Sequence, residues 1–216
     1  MASTSGLFIS RRPKKSSKLP LDARHEIAKR LASGLRQFTI KVIGDESTGR
    51  RTLIRRFLNM NGGPFQQPES RGDGKRDIFV DLKDRPYLFL RGTVCLHTSI
   101  FNLQELDFEA ILETVADLDS FVVIFDVGRC ITFLTAIHCM VKITELLRHN
   151  APEFILVGNK IDLPQREVLE ERGREVAETC GAEHYYECSA LMNVNMDAVL
   201  DATLITALDL SMVLPS

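Results

Sequence analysis

The chain has 216 residues, 44% of them hydrophobic, and a formal net charge of -2, enough apolar material for one core of ordinary size. No apolar run approaches the roughly twenty residues a membrane-crossing helix needs, so the expectation is an intracellular, cytoplasmic protein, with the nucleus as the other address. The five cysteines, at 95, 130, 139, 180 and 188, are odd in number and lack close pairs of metal-ligand spacing, which predicts buried free thiols in a reducing compartment.

Charge is placed unevenly. Residues 1–36 hold nine Lys or Arg against two acids, whereas the remainder holds 18 against 27. Residues 1–20, rich in Ser, Lys, Arg and Pro and most basic from Arg11 to Lys18, predict a disordered basic arm. Such a run suits an importin or anionic lipid, and is equally read as a solvated tail. Over 21–37, Asp22 is placed to cap a helical extension whose Ile27, Leu31 and Leu35 share one stripe. A domain over 38–210 follows in regular alternation. Strands are predicted at Phe38–Ile43, then near 77–82, 86–91, 121–126, 154–158 and 184–187, with helices at Arg50–Asn59, Leu106–Ala116, Ile131–Leu147, Glu167–Cys180 and Met196–Leu208. This order predicts an α/β fold: a mainly parallel six-stranded sheet with helices on both faces and one antiparallel pair from the strands near 80 and 88. There is no internal repeat. Asp126, at a strand end, reads as a loop cap, and His138, Cys139 and Met140 as helix packing. The tail at 211–216 has no cysteine, so no direct lipid anchor is expected.

Two short segments carry chemistry. Asn159-Lys160-Ile161-Asp162 follows the apolar run Phe154 to Val157, and Glu187-Cys188-Ser189-Ala190-Leu191 follows His184-Tyr185-Tyr186. Both should emerge at strand C-terminal ends, where open α/β sheets bind ligands. A carboxylate such as Asp162 accepts two parallel hydrogen bonds from the N1 and N2 donors of guanine, which adenine cannot return. Asn159 would brace the loop or touch N7. The Lys160 stem is long enough to lie over the base, and the Ala190 N–H is suited to donate to O6.

These segments, in this order and separation, resemble the Asn-Lys-x-Asp and Ser-Ala signatures of the Ras-like small GTPases, and the resemblance runs from about Phe38 to Leu208. It implies the small-GTPase P-loop fold, a guanine-nucleotide pocket and protein effectors. The phosphate-binding loop of such proteins reads Gly-x-x-x-x-Gly-Lys-Ser/Thr: glycines let backbone N–H groups curl around phosphate, lysine bridges the outer phosphates, and the hydroxyl holds magnesium. Here the stretch is Gly44-Asp45-Glu46-Ser47-Thr48-Gly49-Arg50-Arg51-Thr52. Both glycines are present, Arg50 replaces the lysine, and Arg51 stands where the magnesium hydroxyl belongs. Thr52 comes one residue late, rotated by roughly 100° around the helix. Glu46 would repel a γ-phosphate, so the loop favours GDP, or no nucleotide, over GTP and does not support magnesium.

The regions that sense the γ-phosphate in the family also depart from its pattern. Residues 61–76 contain no threonine, and the expected Asp-x-x-Gly, placed at Leu88 to His97, has Arg91 nearest the aspartate position, with no glutamine following it until Gln104. His97 and Gln104 are candidates for orienting water. Phosphoryl transfer depends on positioning and charge neutralisation, so the expectation is weak GTP or GDP binding, little or no intrinsic hydrolysis, and a regulatory or scaffold role in protein interaction. The alternative is a GTP-hydrolysing switch completed by groups from a regulator.

Overall fold

The computed structural model describes residues 35–60, 76–81, 93–102, 119–147 and 153–208. The basic arm, most of the helical extension, the segments at 86–91 and Leu106–Ala116, Gln104 and the 211–216 tail lie outside them. Continuous apolar runs became central strands. β4 (Ser120–Asp126) and β5 (Phe154–Asn159) are buried at every position, the signature of parallel strands covered on both faces. β2 (Arg76–Asp81) alternates, with Ile78 and Val80 buried and Asp77, Phe79 and Asp81 exposed, as an edge strand should.

With β1 (Leu35–Gly44), β3 (Thr93–Asn102) and β6 (His184–Cys188), these strands form one sheet in the order β2-β3-β1-β4-β5-β6. Every pairing is parallel except β2 with β3. Four helices are described: α1 (Arg50–Leu58), α2 (Cys130–Leu147), α3 (Glu170–Cys180) and α4 (Met196–Leu208).

Side-chain alternation along the strands builds two cores. Val122 and Ile124 of β4 pack with Ile155 and Val157 of β5 against Leu53, Ile54 and Phe57 of α1 and Val199, Leu200 and Leu204 of α4. The intervening Phe121, Val123 and Phe125 face the other way, with Phe154 and Leu156, onto Phe133, Cys139, Met140 and Ile143 of α2 and Val176 of α3. Phe121 and Phe154 stack with ring centroids 5.5 Å apart. Met140 and Cys139 are thus packing residues as expected, while His138 is exposed.

Three expectations are corrected. The strand paired with β2 is not at 86–91: β3 spans Thr93–Asn102, with Asp81 opposite Thr93 and Arg76 opposite Thr98. The run from 93 is β-branched and puts Val94, Leu96 and Thr98 on the core face, and pairing rather than local apolarity selects it. The stretch following this strand therefore begins after Asn102, and Leu88 to His97 is not the loop that follows it. Leu35 belongs to β1 rather than closing a helical stripe. α3 starts at Glu170 because the preceding chain bonds elsewhere: the Glu167 and Val168 N–H groups both donate to the Val127 carbonyl at 2.9 and 3.0 Å, and Glu167 Oε2 accepts from the Cys130 N–H at 2.7 Å.

Candidate functional site

The loop between β1 and α1 curls because two of its residues take left-handed backbone angles, Ser47 at φ 61° and Gly49 at φ 99°. Successive residues of alternating hand turn N–H groups toward a common concavity, a shape suited to anions. Thr48 closes the turn: its hydroxyl donates to the Asp45 carbonyl at 2.8 Å, and the residue is fully buried. Both glycines are required by close approach. A Cβ on Gly44 would lie 2.5 Å from the Ile124 carbonyl, and one on Gly49 would lie 2.3 Å from Asn159 Nδ2. α1 then begins, its Leu53 N–H bonding the Gly49 carbonyl at 2.8 Å, with no side chain capping its first turn.

The side chains around this concavity are mixed in sign. Arg50 is buried and engaged, Thr52 is half-buried, and Arg51 and Glu46 are exposed. Asp45 is buried, and its Oδ1 has no hydrogen-bond partner. Magnesium is held by oxygen donors. At the position where the family supplies a hydroxyl, this helix presents the exposed guanidinium of Arg51, which does not fit the ion.

At the other end, Asn159 closes β5 and is buried. Its Nδ2 donates to the Thr48 carbonyl at 2.8 Å, while Oδ1 accepts from the Ala190 N–H at 3.1 Å and lies 3.6 Å from Cys188 Sγ. One amide thus ties the phosphate loop to the Ser-Ala loop, the bracing anticipated for it. It also occupies the Ala190 N–H, which had been assigned to guanine O6. Lys160, at φ 71°, donates from Nζ to Asp126 Oδ2 at 2.7 Å. Asp126 Oδ1 accepts from the Gly128 N–H at 2.9 Å, so Asp126 is the loop cap expected and also anchors the lysine. Asp162 is exposed, and its carboxylate makes no hydrogen bond or ion pair among the described residues. Ser189 is buried, its Oγ accepting from the Met192 N–H at 3.0 Å, and Leu191 is exposed.

Sequence reasoning missed Arg56. This α1 residue is fully buried and donates from Nε to the Ala190 carbonyl at 2.9 Å and from Nη2 to the Leu191 carbonyl at 2.8 Å. A third bond reaches the Asn59 carbonyl at 3.4 Å. Burial lowers its pKa, with Arg55 adding to the effect. The signal was present: Arg56 falls on the stripe of Leu53 and Phe57, where a charge demands partners. His97 is excluded from water positioning. It sits mid-strand in β3, opposite Thr39, while Asn102 lies opposite Gly44; five residues of strand place it roughly 16 Å from the loop end.

Fold and loops together define an α/β protein of the P-loop nucleotide-binding type. The Ras family model matches residues 104–209, and with this fold the chain is a member of the Ras-like small GTPase superfamily, whose members bind guanine nucleotide, usually with magnesium. The matched span contains Asn159 to Asp162 and Ser189 to Leu191 and does not include the loop at 44–49. No curated protein matches the chain.

Proposed function

We propose that the chain is a divergent small GTPase that binds GDP or GTP weakly, without magnesium, hydrolyses little or none of it, and acts in the cytoplasm as a regulatory or scaffold module for protein partners. The observation that carries this reading is the contrast between the two ends of the site. At the guanine end, Asn159 joins both loops and the Asp162 carboxylate stands free to accept the base. At the phosphate end, Arg51 replaces the hydroxyl and Glu46 and Asp45 add carboxylates where anionic oxygens would lie. Losing one preorganised electrostatic contact typically raises a barrier by about 3 kcal/mol, and phosphoryl transfer is slow even in intact small GTPases acting alone. The exposed Leu191, Met192 and Val194, on the loop that borders the base site, support a protein partner there.

A second reading, a switch completed by a regulator, draws support from the left-handed Ser47 and Gly49 and the buried Arg50, which keep a phosphate-shaped loop. The double variant Glu46→Gly with Arg51→Ser separates the two. If the lost groups are what disables the phosphate end, GTP affinity rises at least tenfold and becomes magnesium-dependent. Unchanged affinity in a folded variant would contradict the proposal.

A further inference from the structure

Away from the nucleotide loops, three side chains of metal-ligating type converge on the outer face of the sheet edge. Asp77 of β2 stands directly opposite His97 of β3 in the antiparallel register, and Cys95 lies two residues along the same strand, hence on the same face. Asp77 Oδ1 is 2.7 Å from His97 Nδ1. Cys95 Sγ is 4.0 Å from Nδ1 and 3.9 Å from Nε2 of the same ring. One donor atom from each of the three lies within 4.8 Å of the others. An Asp–His ion pair explains the 2.7 Å contact, and strand periodicity sets the buried Cys95 thiol against the same ring as a third donor.

We propose that Asp77, Cys95 and His97 bind one zinc ion, with a water completing a four-coordinate site. The donor set is one sulfur, one nitrogen and one oxygen, which suits a borderline-soft ion and disfavours magnesium or calcium. Bond lengths of about 2.0 Å to nitrogen and oxygen and about 2.3 Å to sulfur set tetrahedral ligand separations at roughly 3.3 to 3.6 Å. The carboxylate must therefore retreat from the ring by roughly 0.6 Å and the sulfur approach by roughly 0.4 Å. The carboxylate and the sulfur, up to 4.8 Å apart, must also draw to roughly 3.5 Å; Cys95 is buried, so the movement falls to Asp77 and His97, whose side chains are 60% and 39% exposed. Binding releases the Cys95 thiol proton to solvent and replaces the Asp77–His97 hydrogen bond with two metal bonds. Because the ligands come from both strands, the ion clips the edge strand β2 onto β3 and stabilises the folded sheet. The five-residue register offset places this site roughly 16 Å from the phosphate loop, so it is separate from nucleotide binding.

The test uses the full chain, reduced and stripped with chelator, titrated with zinc against a chromophoric competitor and with cobalt followed by absorbance. One equivalent binds, and the cobalt form shows four-coordinate d–d bands with a thiolate charge-transfer band in the near ultraviolet. His97→Ala weakens zinc at least 100-fold and Asp77→Asn at least 10-fold, Cys95→Ser abolishes the charge-transfer band, and Cys130→Ser, which removes an exposed thiol elsewhere, changes nothing. Should Cys95→Ser fail to fold, the two exposed-side-chain variants and the cobalt spectrum of the parent carry the test. Absence of stoichiometric binding by the folded parent, a cobalt spectrum without thiolate character, or affinity that survives His97→Ala would overturn the proposal.

Discussion

In the proposed function Asp162 reads the base and Arg51 stands at the phosphate end, with opposite charge and opposite consequences. The carboxylate has no competing partner among the described residues, so its full acceptor capacity is open to a base with paired donors. Charge-assisted hydrogen bonds contribute about 1.5 to 3 kcal/mol each. Asp162→Ala should therefore weaken GDP at least 100-fold in calorimetric titration and remove discrimination against ATP, with no change in thermal stability because the side chain is exposed. Retained preference for guanine would show that Asp162 does not read the base. Much of this was legible in the sequence, because the Asn159 to Asp162 spacing places an amide and a carboxylate on one short loop after a buried strand. The pairing of Lys160 with Asp126 was not legible, since it joins the ends of two strands 34 residues apart in sequence.

At the scale of elements, α1 is the hinge between the phosphate loop and the Ser-Ala loop, and Arg56 is its fastening. The guanidinium satisfies the Ala190 and Leu191 carbonyls, which no other described side chain reaches. Replacing it leaves buried acceptors unpaired, at about 1 to 3 kcal/mol each. Arg56→Met should lower unfolding free energy by about 2 to 4 kcal/mol in urea titration and speed amide exchange at 190–194. Arg56→Lys should rescue little, because a compact ammonium cannot span two carbonyls as a planar fork does. Equal exchange rates in variant and parent would refute the fastening role. Most helices and buried strands were legible from periodicity, as Ile131 to Leu147 and Phe154 to Val157 illustrate. β3 was not, because the apolar run ending at Leu90 competes with the run from Thr93 and only pairing with β1 over ten residues decides between them. The same displacement hid the Asp77–Cys95–His97 cluster, whose ligands are close only across a register.

The molecule as a whole is a two-faced sheet with a buried thiol in each core. Cys139, on α2, faces one core and Cys188, closing β6, faces the other, and burial pushes both up to about 12 from an ordinary value near 9. A folded-state pKa above the unfolded one gives stability that is complete below pH 9 and lost as pH rises toward 12. Each thiol contributes a slope of about 1.4 kcal/mol per pH unit in that window. Urea unfolding between pH 9 and 10 should show this decline, and Cys139→Ala should make it shallower by about 1 kcal/mol over that unit; an unchanged slope would show that the thiol ionises in the folded state.

The proposed function requires a small-GTPase fold that has kept its guanine end while its phosphate end no longer supports magnesium. Calorimetric titration of nucleotide-free protein with GDP and GTP, each with and without magnesium and with ATP as control, tests it most directly. The expected result is guanine-specific binding of micromolar order, indifferent to magnesium and no tighter for GTP than for GDP. Magnesium-dependent, tighter binding of GTP, or no guanine binding by a folded sample, would contradict it.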